Sequence, residues 1–137
     1  MSAGQESPKQ IALRWAAAYN AHDVEAAAAL YGDDVVNFQM PYAQPVRGAE
    51  AMRATFQRVF QAFPDMHVEV EQVIEEGEWA VVAWTFSGTM RGEFAGQAPT
   101  GRRFTMRGCE MFQVSGGRIR AQRGYWDKAT MFGQLGI

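Results

Sequence analysis

Apolar positions recur every three to four residues through the first third of the chain and mostly every second residue later. Ile11, Trp15 and Tyr19 form one stripe at four-residue spacing, which predicts an amphipathic helix. Ser7 is placed to cap it, Pro8 suits its first turn and Asn20 ends it. Asp23 begins a second helix, expected over 24–31 and stopped by Gly32. A short strand is predicted over 35–40, and Pro41, Pro45 and Gly48 then mark a loop. Met52, Phe56, Val59, Phe60 and Phe63 give a third helix, about 49–62, broken at Phe63-Pro64-Asp65. Strands follow over 66–75, 79–90, 104–114 and 118–126, with Gly77 and Gly116-Gly117 as hairpin turns. A tail helix over 128–135 closes the chain. Helices followed by a strongly bent antiparallel sheet predict an α+β fold.

The last hairpin has a register that can be read. With Gly116 and Gly117 as the loop, 115 opposes 118, 112 opposes 121, 110 opposes 123 and 108 opposes 125. One face then carries Phe104, Met106, Gly108, Glu110 and Phe112 opposite Ile119, Ala121, Arg123, Tyr125 and Asp127. This more apolar face should meet the helices. A buried charge costs several kcal/mol unless paired, so Glu110 and Arg123 read as a compensated pair. Asp127 has no equal partner, and Gly108 leaves space opposite Tyr125. Together they suggest a cavity with an apolar wall and a few convergent polar groups, the form of a small-molecule site. Two plainer roles fit the same residues: Asp127 as the cap of the tail helix, and Glu110–Arg123 as a structural bridge.

The opposite face mixes arginines with Thr105, Cys109, Met111 and Trp126, with Arg107 set to stack on Trp126. Arginine with aromatic and apolar residues suits an interface, so a homodimer is expected.

At 137 residues the chain makes one domain, 1–137. Its 47% hydrophobic and 20% charged residues are those of a packed protein. A net charge of −2 argues against nucleic acid as a partner. A single cysteine, Cys109, excludes an internal disulfide and a cysteine-rich zinc site. No apolar run spans a membrane, and the polar opening, residues 1–10, does not read as a signal peptide. A cytoplasmic location is expected. Charge is uneven: residues 81–137 hold eight basic residues and three acids, Glu93, Glu110 and Asp127. Carboxylates so sparse in so basic a segment invite a functional reading.

Several stretches resemble the SnoaL-like polyketide cyclases of the NTF2-like superfamily. They are Trp15-Ala16-Ala17-Ala18-Tyr19-Asn20-Ala21-His22-Asp23, Leu30-Tyr31-Gly32-Asp33-Asp34-Val35, Phe63-Pro64-Asp65-Met66-His67 and Gly88-Thr89-Met90-Arg91-Gly92-Glu93-Phe94. Pro99-Thr100-Gly101-Arg102, Gly117-Arg118-Ile119 and Gln134-Leu135-Gly136 continue it. The resemblance implies an NTF2-like cone, a curved antiparallel sheet wrapped around three N-terminal helices with a short C-terminal helix, and commonly a dimer. It implies intramolecular aldol ring closure of a hydrophobic substrate by an Asp acid/base, without metal or cofactor. Asp127 falls where that Asp is expected, with Glu110 and Arg123 orienting or tuning the site. Met90 stands where the family often has His.

The expected pocket is lined by Trp15, Tyr19, Asn37, Gln39, Phe60 and Phe86, and further by Met90, Met106, Phe112, Tyr125 and Met131. Arg123-Gly124-Tyr125-Trp126-Asp127 also resembles the terminal strand of limonene-type epoxide hydrolases, with Asn37 and Gln39 near their water-binding positions. Their expected arginine, however, is Gly108 here. Ketosteroid isomerases carry a carboxylate where this chain has Met40 before Pro41. A non-catalytic NTF2-like binding module is the remaining alternative, since fold does not fix function.

Overall fold

The structure, a computed structural model, describes residues 5–137. Residues 1–4, the start of the polar opening, lie outside the described residues. Helix α1 (Pro8–Ala21) opens on a reciprocal cap. The Ser7 hydroxyl accepts the Gln10 N–H at 3.2 Å, and the Gln10 side chain accepts the Ser7 N–H at 2.8 Å. It ends at His22, held in the left-handed region at φ 53°. Asp23 caps α2 (Val24–Ala28) through the Ala26 N–H. Helix α3 (Ala49–Ala62) and helix α4 (Lys128–Leu135) complete the helical set.

Six strands form one curved sheet: β1 (Tyr31–Gln39), β2 (Val46–Arg47), β3 (His67–Glu76), β4 (Trp79–Thr89), β5 (Arg103–Ser115) and β6 (Arg118–Tyr125). Their order is β2-β1-β6-β5-β4-β3. All neighbours are antiparallel except β1 and β6, which run parallel and set Gln39 beside Gly124. Helix α1 packs over β3 to β5, α3 over β1 and β2, and α4 against β5. Between helices and sheet lies a core rich in aromatics, with Trp15, Phe56, Trp84, Phe104 and Phe112 almost fully enclosed. Among the described residues no helix is long and apolar enough to cross a membrane.

The α+β class predicted from the pattern and the cone implied by the resemblance are present, and three local expectations change. The second helix stops at Ala28, and Tyr31 already belongs to β1. Gly32 is therefore not a helix stop. It sits in the strand beneath Arg120, where a Cβ would meet the Arg120 side chain at 3.1 Å. The two-residue β2, too short to leave a pattern, pairs with the inner half of β1.

The third change matters most. Ser115 opposes Arg118 and Val114 opposes Ile119 as the turn predicts, but Gln113 then opposes Ala121. Arg120 is the extra residue of a β-bulge, held outward by its guanidinium on both Asp34 oxygens at 3.0 and 3.1 Å. Everything beyond it moves by one place, so Phe112 meets Gln122 and Glu110 meets Gly124. The expected Glu110–Arg123 pair does not form. Arg123 turns to the outer face, 5.5 Å over the Trp79 ring. Tyr125 also faces outward, 39% exposed. Trp126 turns inward, so it does not stack on Arg107, which pairs with Glu71 instead.

Candidate active site

The concave face of the sheet and the helices enclose a cavity of about 680 Å³. Trp15 and Tyr19 from α1, Met52 and Phe56 from α3, Trp84 and Phe86 from β4 and Met106 from β5 build its apolar wall. Asn37, Gln39, Glu110, Gln122 and Trp126 bring polar groups to it. A cavity of this size and character fits a drug-sized apolar molecule.

Glu110 is the buried acid of this cavity, 3% exposed. Its Oε1 accepts from Gln39 Nε2 at 2.6 Å and Gln122 Nε2 at 2.7 Å, and its Oε2 accepts from Trp84 Nε1 at 3.1 Å. All three donors are neutral, and among the described residues it makes no salt bridge. Burial raises the Glu110 carboxyl from its usual 4.5 to about 7, against the three hydrogen bonds, which pull it down. The group therefore changes charge near neutral pH. Oε2, with one partner, keeps the freer capacity to take a proton.

Two glycines make this arrangement possible. Gly108 lies opposite Trp84, and a Cβ there would meet the indole ring at 2.6 Å. Bare backbone lets the indole lie across β5 and reach Glu110. The room expected at Gly108 is thus filled by Trp84 rather than left open. Gly124 lies beside Gln39, and a Cβ there would meet the Gln39 amide at 1.9 Å. The amide takes that place and reaches Glu110 across β6.

Each amide is oriented from behind. Trp126 Nε1, which can only donate, gives its proton to Gln39 Oε1 at 2.9 Å, so the Gln39 nitrogen faces Glu110 and Asn37 Oδ1. The Tyr31 hydroxyl donates to Gln122 Oε1 at 2.6 Å, which turns the Gln122 nitrogen to the carboxyl. The result is a connected network with Glu110 at its centre.

Seven of the expected pocket residues line the cavity: Trp15, Tyr19, Asn37, Gln39, Phe86, Met106 and Met131. Phe60, Met90 and Phe112 do not. Phe60 packs against Tyr19 and Phe56, and Phe112 packs behind Trp15. Met90 is fully buried near Thr100. Tyr125 and Arg123 lie on the far side of the sheet.

Asp127 does not line the cavity either. Its Oδ1 accepts the Ala129 and Thr130 N–H groups at 2.9 and 3.4 Å, and its Oδ2 accepts the Thr130 hydroxyl at 3.0 Å. It is an exposed cap of α4. Gln122, Trp84 and Trp126 were not anticipated at the site. Gln122 and Trp126 were displaced by the register, and Trp84 had no signal beyond its place on an inward strand face. Among the described residues no three His, Cys, Asp or Glu side chains gather as metal ligands.

A sheet curled over helices around an apolar cavity, with Glu110 the one buried carboxyl among the described residues at its polar end, is the architecture of an NTF2-like cone. The model of the SnoaL-like polyketide cyclases matches residues 9–135, and the chain belongs to that family.

Among solved structures, IdmH from Streptomyces antibioticus, a candidate polyketide cyclase, is 29% identical, with a TM-score of 0.79 over 96% of this chain and 100% of that one. AclR from Streptomyces galilaeus, a candidate hydroxylase, is 25% identical, with a TM-score of 0.81 over 94% and 80%. An LEH-like epoxide hydrolase of M. tuberculosis is 20% identical, with a TM-score of 0.77 over 93% and 88%, a likeness of fold. No curated protein matches the chain.

Proposed function

We propose that the protein is a cofactor-independent acid–base enzyme that closes a ring in a hydrophobic polyketide-like substrate by intramolecular aldol chemistry, with Glu110 rather than Asp127 as the proton-transfer group. The observation that carries this reading is the Glu110 carboxyl, the one buried carboxyl among the described residues, raised to about 7 by burial at the polar end of an apolar cavity. As a carboxylate, Glu110 takes a proton from a carbon made acidic by a neighbouring carbonyl. The electron pair left behind forms the new C–C bond to a second carbonyl of the same molecule. Glu110 then returns its proton to the resulting alkoxide. No atom is gained or lost, and no water enters. Gln39 and Gln122 hold the carboxyl in place through both states, and the aromatic wall folds the chain and keeps water from the carbanion.

Epoxide opening by a carboxylate–arginine–carboxylate set is less well supported. Gly124 faces Glu110 across the strands, and Arg123 points away. Offering a polyketide ester and a small epoxide in isotopically labelled water separates the reactions. Ring closure without label is expected. Label in a diol would show hydrolysis instead, and binding without turnover of a broad panel would favour a ligand-binding module.

We also propose a homodimer through the outer sheet face. There Ile74, Val81 and Met111 form one apolar row, and Ala83, Cys109 and Tyr125 the next. Ile74 is 56% exposed and Tyr125 39%, so this face presents apolar surface to a partner copy. Sedimentation at micromolar concentration should give a dimer, and a monomer alone would contradict it.

A further inference from the structure

The cavity opens to solvent between α3 and the loops that follow β1 and β4. There Gln44, Arg58, Gln61 and Glu93 both line it and are exposed. Arg58 is the one basic residue among those that line the cavity. Along α3 the residues 54–62 around it include no acid. Arg53, on the same helix, is paired with Glu25 and Glu50, whereas Arg58 makes no ion pair among the described residues.

The Arg58 side chain nevertheless has a fixed place. Its Nη2 donates to Thr55 Oγ1 at 3.3 Å, one turn back, and the Thr55 hydroxyl itself donates to the Ala51 carbonyl at 2.9 Å. Thr55 also lines the cavity. The guanidinium is therefore laid along the cavity wall, and its remaining N–H groups have no partner among the described residues. A planar fork of this kind matches a carboxylate, which it can bind through two parallel hydrogen bonds.

The two ends of the cavity carry opposite charge preferences. At the buried end, ionised Glu110 repels an anion, and an apolar surround screens that repulsion poorly. At the mouth, Arg58 attracts one. Glu93, on the loop after β4, is the one charge there that opposes an anion, and it is not bonded to Arg58. An elongated molecule with one acidic end would enter with its apolar frame first.

We infer that Arg58 selects substrates that carry a carboxylate on their apolar frame, and holds that group at the mouth while the reacting carbons lie at Glu110. This deepens the acid–base reading above, from which it takes the cavity as the substrate site and Glu110 as its reactive end. The ligand class is an elongated apolar acid rather than the corresponding ester or alcohol. Arg58 touches no reacting atom and acts on binding and orientation.

The test uses 1-pyrenebutyrate, a carboxylate on an apolar frame, and 1-pyrenebutanol as its neutral counterpart. Both are titrated by fluorescence at pH 8, where Glu110 is ionised, into wild type and Arg58→Gln. Glutamine keeps a polar side chain beside Thr55 and removes the charge. The variant should bind pyrenebutyrate about 3- to 10-fold more weakly, with pyrenebutanol changed less than about twofold. The difference should shrink as salt rises from about 0.05 M to about 0.5 M. Glu93→Gln, which removes the opposing charge, should not weaken pyrenebutyrate. Pyrenebutyrate unchanged by Arg58→Gln while both probes still bind would overturn the role of Arg58 and leave the cavity reading intact. Equal losses for both probes would show that Arg58 only shapes the mouth and would also overturn it. Failure of both probes to bind wild type would overturn the cavity reading and this inference together.

Discussion

Glu110 and Asp127 are two of three acids in the basic half of the chain, and they differ in every physical respect. Glu110 lies under the helices, bonded only to neutral donors, with its carboxyl raised to about 7. Asp127 lies at the surface with both oxygens on the first turn of α4. A carboxylate at a helix N-terminus in water is held by the first-turn N–H groups and the helix dipole, and it faces no cavity. One enclosed by Trp84 and two glutamine amides changes charge where an enzyme works. Position in the sequence suggested Asp127, but the environment favours Glu110.

The difference can be broken most forcefully by substitution. Glu110→Gln keeps the shape and removes the proton-transfer capacity, so turnover should fall roughly 10²- to 10⁴-fold. Asp127→Asn keeps the cap and should leave turnover within about twofold of wild type. Equal losses from both, in steady-state assays of either variant, would erase the distinction.

Stability against pH comes next. The Glu110 carboxyl titrates near 4.5 in an unfolded chain and near 7 in the fold, so the fold binds the proton more tightly. The stability this gives is fully present below pH 4.5 and is lost as pH rises through 7. Relative to Glu110→Gln, wild type should lose roughly 3 kcal/mol between pH 4.5 and pH 8. Denaturant melts at both pH values measure it, and a difference independent of pH would count against a buried carboxyl.

Gly124→Ala sharpens the same point from the neighbouring strand. The new methyl displaces the Gln39 amide, removing a donor from Glu110 and leaving Trp126 Nε1 and Asn37 Oδ1 to find other partners. The rise of kcat/KM with pH, expected near 7 in wild type because the base form is the active one, should move upward. An unmoved profile would show that Gln39 does not tune the carboxyl. The smallest effect belongs to the cap: Asp127→Ala should cost about 1 kcal/mol of stability, read by thermal melts, with turnover unchanged.

Much of the fold was legible because it rests on local chemistry. Ser7-Pro8, Asp23 and the Gly116-Gly117 turn each act within a few residues, and the change from helical to alternating spacing carries the α+β class. The site was legible as Glu110 and seven of its lining residues, Met131 beyond the bulge included, but not in the strand positions of β6 that follow Arg120. Past Arg120 the alternation has no local mark of the extra residue, since Ala121 suits either face and Gln122 reads as a solvent residue. What turns Arg120 outward is Asp34, which is remote in sequence and adjacent only once β1 lies beside β6. The same parallel pairing delivers Gln39 to Glu110, and no spacing within one hairpin reports it. The two glycines were visible as residues, but their use as passages for Trp84 and Gln39 depends on cross-strand partners.

The most direct measurement is the titration of Glu110 itself. Infrared difference spectra with isotope-labelled glutamate, taken against Glu110→Gln, follow its carboxyl band with pH. A protonated carboxyl that persists at pH 6 and ionises near 7 is the predicted result. Ionisation complete by pH 5, as for an ordinary exposed glutamate, would contradict the account.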